Sequence, residues 1–396
     1  MVTIIEEKVQ QAQALLESLD LDCWLTFVRE TVSLADPALP LILGQHLTWQ
    51  SALIITRKGE RIAIVGNFDA DAVKTVGVWN EIIPYTEGVS GPLRETLGRL
   101  DPRQVAVNYS RDDIMADGLT HGMYLLLTDY LKDTPYLRRL VPADAICGAL
   151  RGCKTPGEVQ RIRAAIAATE QILEQVSRFA RVGRTEIDVA QFVKGLVSDR
   201  KLELAWEPKQ CPIVNTGPDS MIGHGIPAEL KIEPGHLFHI DFGVRQEDYC
   251  ADLQRMWYVP RAGETKPPER TCRAFDTVRK AIEAAKAALR PGVECWEVDA
   301  AARKVVVDAG YPEYGHGTGH QVGRAAHDGG GILGPKWERY GKTPYRKVES
   351  GNVFTLELGV MVEGHGYVGL EDMVLVTADG CEYLSHPQTE LCLLGA

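Results

Sequence analysis

The sequence lacks the features that mark secreted, disulfide-bonded or membrane-spanning chains. Its nine cysteines form no Cys-x-x-Cys pair, and an odd number without such pairs is unlike a disulfide framework or a zinc ribbon. The N-terminus carries Glu6, Glu7 and Lys8 where a signal peptide needs an apolar run. The longest uncharged stretch, 37–56, is broken by prolines, a glycine and glutamines. We therefore expect a cytoplasmic protein with reduced thiols and no membrane segment.

Positive charge is also scarce. Lysine and arginine number 43 against 54 aspartates and glutamates, which gives a formal net charge of −11. Nucleic-acid-binding proteins present a basic face to the phosphate backbone, so we expect no nucleic-acid partner. The composition, 45% hydrophobic and 24% charged, is that of an ordinary folded protein, and 396 residues suffice for two domains.

The pattern of the sequence changes near residue 151. In residues 1–150, short β-rich runs alternate with helix-like segments, which predicts an N-terminal α/β domain. The stretch Thr155-Pro-Gly-Glu158 then combines an N-cap, a proline at the first helical position and the glutamate of a capping box, so a long helix should begin there. Residues 151–396 contain eight of the ten histidines, and we predict that they form the catalytic domain.

Acidic residues interrupt two apolar strand–turn–strand segments of this second domain. Asp241 and Asp252 lie 11 residues apart in one segment, and Glu357 and Glu371 lie 14 apart in the other. A hairpin brings residues on its two strands side by side. Carboxylates buried in strands are costly unless cations neutralise them, so the pattern indicates a cation site.

The third feature is a glycine-rich cluster of histidines, His316, His320 and His327. His316 and His320 have the spacing of a helical zinc pair, but the glycines between and before them oppose a helix. We therefore place them in a loop that enters a strand. A phosphate-binding loop is disfavoured because no Gly-Lys-Ser/Thr follows in a strand–loop–helix context.

Taken in order, these motifs resemble the metallopeptidases with the pita-bread fold, among them prolidase (Xaa-Pro dipeptidase), aminopeptidase P and methionine aminopeptidase. The motifs are Asp241-x-Gly243, Tyr249-x-x-Asp252 with Arg255, His316-Gly-x-Gly-His320 with His327, Phe354-Thr-x-Glu357 with Gly359, and Glu371-Asp372. The resemblance runs from Thr155 to the end of the chain. It implies an α+β fold in which a C-terminal pita-bread (creatinase/aminopeptidase-like) domain follows an N-terminal α/β creatinase-type domain.

The same resemblance implies a dinuclear site that hydrolyses the Xaa-Pro bond of dipeptides. Two divalent ions, Mn²⁺ first and Co²⁺ or Zn²⁺ as alternatives, would be held by Asp241, Asp252, His320, Glu357 and Glu371, with Asp252 and Glu371 bridging both ions. A hydroxide shared by the ions would be the nucleophile, and Glu357 the proton shuttle. His224 and His327 would stabilise the oxyanion or orient the carbonyl, and His316 would line the substrate pocket. The other histidines of the domain, His236, His239, His365 and His386, are interpreted as structural.

The chain departs from the prolidase pattern around the ligands. Gln254 and Met256 replace two threonines, Leu358 replaces a proline, and Gly369 stands where an arginine is usual. Alternative functions are therefore an aminopeptidase P acting on longer Xaa-Pro peptides, a hydrolase of a small non-peptide amide, and an inactive binding module. The resemblance also implies a homodimer in which residues 1–150 contribute to dimerisation and cover the active site.

Overall fold

The structure is a computed structural model of the chain and describes residues 3–223 and 225–395. The chain separates into two compact units, the N-terminal unit Met1–Arg151 and the C-terminal unit Gly152–Ala396. Among the described residues, no helix has both the length and the apolar composition needed to cross a bilayer.

The N-terminal unit is an α/β layer structure. Its helices are α1 (Ile4–Ser18), α2 (Leu39–Ile42), α3 (Ala70–Val76), α4 (Ser90–Leu100), α5 (His121–Leu131) and α6 (Asp144–Gly152). Its strands are β1 (Cys23–Val28), β2 (Ser51–Thr56), β3 (Arg61–Gly66), β4 (Glu81–Tyr85), β5 (Val105–Val107) and β6 (Leu140–Pro142). They form one sheet in the order β4-β3-β2-β1-β5-β6.

Both faces of this sheet are buried. Successive side chains of β1 alternate between two cores: Trp24 and Val28 pack with α1 and α2 on one side, and Leu25 and Phe27 pack with α4 and α5 on the other. Side chains alternate between the two faces along a strand, and both faces are buried. The central strands of the unit are therefore apolar at nearly every position.

The C-terminal unit contains the histidine-rich and acid-rich segments. Its helices are α7 (Pro156–Phe179), α8 (Glu186–Asp199), α9 (Glu269–Ala288) and α10 (Cys295–Asp308). Its longer strands are β8 (Ile213–Thr216), β9 (Leu237–Phe242), β12 (Leu253–Tyr258), β13 (Val353–Val362) and β14 (Gly366–Val376). Its short strands are β7 (Glu203–Leu204), β10 (Val244–Gln246), β11 (Tyr249–Cys250), β15 (Cys381–Tyr383) and β16 (Cys392–Leu393).

The main sheet of this unit runs β13-β14-β12-β9-β8, and helices pack against it as two pairs. Helices α7 and α8 share a core with β9, and α9 and α10 share another with β13 and β14. Helix α7 begins with the predicted capping box, because Thr155 Oγ1 accepts from the Glu158 amide while the Glu158 side chain accepts from the Thr155 amide. The central strands thus lie between helices, and polar residues on them are buried.

Candidate metal centre

The acidic residues form a row across one face of the main sheet. Glu357 on β13 is directly opposite Glu371 on β14, and Glu371 is in turn opposite Gln254 on β12. Gln254 is also opposite Asp241 on β9. The hairpin pattern of the sequence suggests that Asp241 lies opposite Asp252, but its cross-strand partner is Gln254. Asp252 lies just before β12, two residues from Gln254. Because opposed residues and alternate residues share a face, all four carboxylates point the same way.

His320 reaches this row from an extended segment, 318–322, that runs along the outer edge of β13. The Glu357 amide donates to the Thr318 carbonyl at 2.7 Å, and the Thr355 amide donates to the His320 carbonyl at 2.9 Å. Gly319 permits this close approach, since a Cβ there would lie 2.0 Å from the Thr355 carbonyl oxygen. The glycines therefore serve strand-like packing and not a helix, in agreement with the interpretation of the sequence.

The ring of His320 faces the carboxylates with Nε2. That atom lies 3.5 Å from Glu357 Oε1, 3.8 Å from Asp252 Oδ2 and 4.0 Å from Glu371 Oε1. Its other nitrogen, Nδ1, is 3.4 Å from the carbonyl oxygen of Gln321, which can only accept. Nδ1 consequently carries the hydrogen and Nε2 offers its lone pair, the tautomer that a metal-binding histidine needs.

The electrostatics of the cluster call for a cation. Within the described part of the chain, Asp241 Oδ1 and both Glu371 side-chain oxygens are buried without a hydrogen-bond donor. Burial, followed by the charge of Glu357, raises the pKa of Asp241 to about 8. Burial and neighbouring carboxylates also raise the pKa values of Asp252 and Glu371 well above the usual range.

A divalent ion removes these costs. One ligand atom each from Asp252, His320 and Glu371 lie within 4.8 Å of one another. Buried carboxylates without donors, next to an imidazole with a free lone pair, form a donor set that suits a divalent metal. The residues present therefore fit a metal centre.

The sequence of this unit also matches a known family. Residues 160–378, more than half of the chain, match metallopeptidase family M24. The chain belongs to this family. It is therefore a metal-dependent peptidase of the hydrolase class, and the row of carboxylates with His320 is the candidate metal centre of an M24 peptidase.

Relatives of this M24 peptidase include enzymes named for Xaa-Pro bonds. A Xaa-Pro dipeptidase of Pyrococcus horikoshii is 29% identical over 289 residues, which is 71% of this chain and 76% of the relative. The solved Xaa-Pro dipeptidase of Bacillus anthracis has a TM-score of 0.75 at 22% identity, covering 98% of this chain and all of that one. The X-Pro aminopeptidase of Thermotoga maritima has a TM-score of 0.72 at 21% identity, covering 97% and 99%. These likenesses confirm the predicted pita-bread fold.

The remaining histidines of the predicted M24 site differ in their positions relative to the candidate metal centre. The rings of His327 and His320 meet edge to face, with centroids 4.3 Å apart, so His327 lies beside the metal centre. His316 packs on Tyr314, with centroids 5.2 Å apart, and its Nδ1 is 2.7 Å from the Gly317 carbonyl oxygen. His224 lies outside the described residues. The roles expected of His224, His316 and His327 remain predictions.

Two buried side chains that sequence reasoning did not assign to the site lie directly behind it. Gln254 Nε2 donates to Glu357 Oε2 at 3.1 Å, and Gln254 Oε1 is 3.0 Å from His239 Nε2. Burial lowers the pKa of His239 to about 4, while the hydrogen bond with Gln254 acts in the opposite direction. The signal was present in the sequence, because His239 is two residues before Asp241 on one strand and so shares its face.

Two arginines that could have replaced the missing one at position 369 are engaged elsewhere. Arg255 binds Asp372 at 2.9 Å and donates to the Glu371 carbonyl at 2.8 Å, which ties β12 to β14. Arg324 binds the exposed Asp248 at 3.0 Å. Position 369 itself is filled by neighbours, since a Cβ there would lie 2.4 Å from the Tyr367 ring and 2.9 Å from Gln254 Oε1.

Proposed function

We propose that this M24 peptidase is a dinuclear Xaa-Pro dipeptidase. The observation that carries the proposal is the row of four carboxylates, three of which lie within 4.0 Å of His320 Nε2. Asp241, Asp252, His320, Glu357 and Glu371 would hold two divalent ions. An oxygen-rich site with one imidazole suits Mn²⁺, and also Co²⁺ or Zn²⁺.

The chain's own residues would bind, orient and move protons around these ions. When bound, the ions would supply Lewis-acid chemistry of the kind that polarises a carbonyl and activates water near neutral pH. Glu357 would accept a proton from that water and deliver it to the proline nitrogen, which must be protonated as the C–N bond breaks. His327 would hold the carbonyl oxygen as negative charge develops on it, together with His224. His316 would contact the substrate farther along the cleft.

The proline specificity rests on the relatives that are named for Xaa-Pro bonds, among them the Pyrococcus horikoshii enzyme. A second candidate is an aminopeptidase acting on longer peptides with proline second, which the likeness to the Thermotoga maritima X-Pro aminopeptidase favours. The proposal also includes a homodimer to which the N-terminal unit contributes, and a cytoplasmic location.

The deciding experiment is proline release from a panel of Xaa-Pro dipeptides, with Xaa-Pro-Yaa tripeptides and Xaa-Ala dipeptides beside them. Purified protein is reloaded with Mn²⁺ and compared with a chelated sample. Metal-dependent cleavage of the Xaa-Pro dipeptides alone supports the dipeptidase, whereas tripeptide cleavage supports the aminopeptidase. If metal binds and neither is cleaved, the proposal fails, and a small non-peptide amide or an inactive binding role takes its place.

A further inference from the structure

Glu357 has two carboxylate oxygens with different surroundings. Oε1 lies 3.5 Å from His320 Nε2 and so faces the group of metal-ligating atoms. Oε2 accepts a hydrogen bond from the Gln254 amide at 3.1 Å. Rotation of the carboxylate about its last side-chain bond is broad unless a partner fixes it. The Gln254 amide is a contact that restricts this rotation.

The orientation of the Gln254 side chain is restricted in turn by His239, which lies on its other side. The side-chain carbonyl oxygen of Gln254 is 3.0 Å from His239 Nε2, and His239 Nδ1 is 3.1 Å from Asn215 Oδ1. A carboxylate only accepts hydrogen bonds, so the amide nitrogen must face Glu357, and the amide oxygen therefore faces His239. Gln254 and His239 are 6% and 3% exposed, which leaves little room for either to turn.

Gly369 provides the space for this arrangement. It lies on β14 two residues before Glu371, and a Cβ at this position would lie 2.8 Å from His239 Nε2 and 2.9 Å from Gln254 Oε1. The Tyr367 ring closes the remaining side, with its centroid 5.3 Å from that of His239. Glycine at 369 and glutamine at 254 are thus parts of one packing arrangement.

We propose that Gln254 is a positioning residue for Glu357. It holds Oε2 so that Oε1 is presented to the metal ions, and His239 together with the space at Gly369 keeps its amide in place. The catalytic consequence rests on the proposed function, because it uses the proton-transfer role of Glu357. The geometric consequence, a fixed Glu357 ligand, depends only on the metal centre.

Gln254→Met tests the proposal, because it keeps the length of the side chain and removes the donor. A hydrogen bond to a charged group contributes enough that its loss should lower kcat about 10- to 100-fold, with a much smaller change in KM. The Co²⁺-loaded variant should also show a visible absorption spectrum that differs from that of the wild type. Gln254→Glu, which places a second carboxylate against Glu357, should lower kcat further.

Gln388→Met is the matched control. Gln388 accepts from the Met256 amide and donates to the Met256 carbonyl, so it binds the same strand, β12, without contacting Glu357. This variant should keep the wild-type kcat and cobalt spectrum. An equal loss in Gln388→Met and Gln254→Met would show a general effect of loosening β12 and would overturn the proposal.

Gly369→Ala keeps the test decisive if Gln254→Met does not fold. The added methyl group would meet the Tyr367 ring at 2.4 Å, His239 Nε2 at 2.8 Å and Gln254 Oε1 at 2.9 Å. It therefore displaces the Gln254 amide without removing it, and kcat and the cobalt spectrum should change in the same direction as in Gln254→Met. Wild-type values in whichever of these variants folds would refute the positioning role. Because the cobalt spectrum needs no substrate, it tests that role even if the wild type cleaves no Xaa-Pro peptide, a result that would refute only the proposed function.

Discussion

Among single residues, Glu357 carries the largest share of the proposed chemistry. It is opposite Glu371 across the β13–β14 ladder, near His320 through one oxygen and bonded to Gln254 through the other. It would serve both as a metal ligand and as the group that moves a proton from water to the leaving nitrogen. A residue with two such functions cannot be replaced without losing both.

Glu357→Ala is expected to lower kcat for Xaa-Pro dipeptides by about 10²- to 10⁴-fold, the usual contribution of a general acid–base group, or more because a ligand is lost as well. Its far-ultraviolet circular dichroism should match the wild type, since the change removes a partly exposed acid from an acidic cluster. His386→Ala is the control, because that ring is 93% exposed. Turnover within tenfold of the wild type in Glu357→Ala would contradict the assigned role.

At the scale of elements, the β13–β14 ladder is shaped by two opposed glycines. Gly359 on β13 is directly opposite Gly369 on β14, and the Tyr367 ring lies over both. A Cβ at Gly359 would lie 2.2 Å from the Tyr367 hydroxyl oxygen and 2.3 Å from the Val368 carbonyl oxygen. The second contact is with backbone and cannot be relieved by a rotamer change. Position 359 therefore requires glycine.

Gly359→Ala should lower the free energy of unfolding by about 1–3 kcal/mol, the usual cost of overpacking. Gly195→Ala is the matched control, because Gly195 lies inside α8 with open space around its Cβ position. Alanine there should raise stability by about 0.5–1 kcal/mol through helix propensity. Urea denaturation of both variants measures the difference, and changes of the same sign would contradict the packing argument.

Element boundaries and site geometry differ in how far the sequence predicts them. Local chemistry predicts the start of α7, because the Thr155–Glu158 capping box needs no distant partner. The start of α10 at Cys295 is harder to predict locally, because Glu294 and Glu297 form its capping box and glutamate is not among the preferred N-cap residues. The pairing of Asp241 with Gln254 depends on strand register across the sheet, which local sequence leaves open.

At the scale of the whole molecule, metal binding and folding are linked. Burial and neighbouring carboxylates raise the pKa values of Asp241, Asp252 and Glu371. A group whose pKa is higher in the folded state stabilises that state at low pH and loses this contribution as the pH rises through the folded value. For Asp241 that loss runs from about pH 4, its unfolded range, to about pH 8. A bound divalent ion offsets the loss.

The melting temperature of the chelated protein should therefore fall between pH 6 and pH 8, and the increase caused by Mn²⁺ should be larger at pH 8. Ligand at 100 times its dissociation constant adds about 2.7 kcal/mol of stability. Differential scanning calorimetry with and without metal measures both effects. Asp241→Asn, which removes one buried acid, should weaken the pH dependence of the chelated protein. A metal-induced increase that shrinks from pH 6 to pH 8 would contradict this linkage.

The extended segment that carries His320 has a further effect on the chain's solubility. Strand β13 is an end strand of its sheet and is apolar along most of its length. Unpaired edges of such strands are sites where two copies of a protein join and aggregate. By bonding to Val353, Thr355 and Glu357, segment 318–322 covers this edge. A substitution that loosens the segment should thus promote aggregation as well as weaken metal binding.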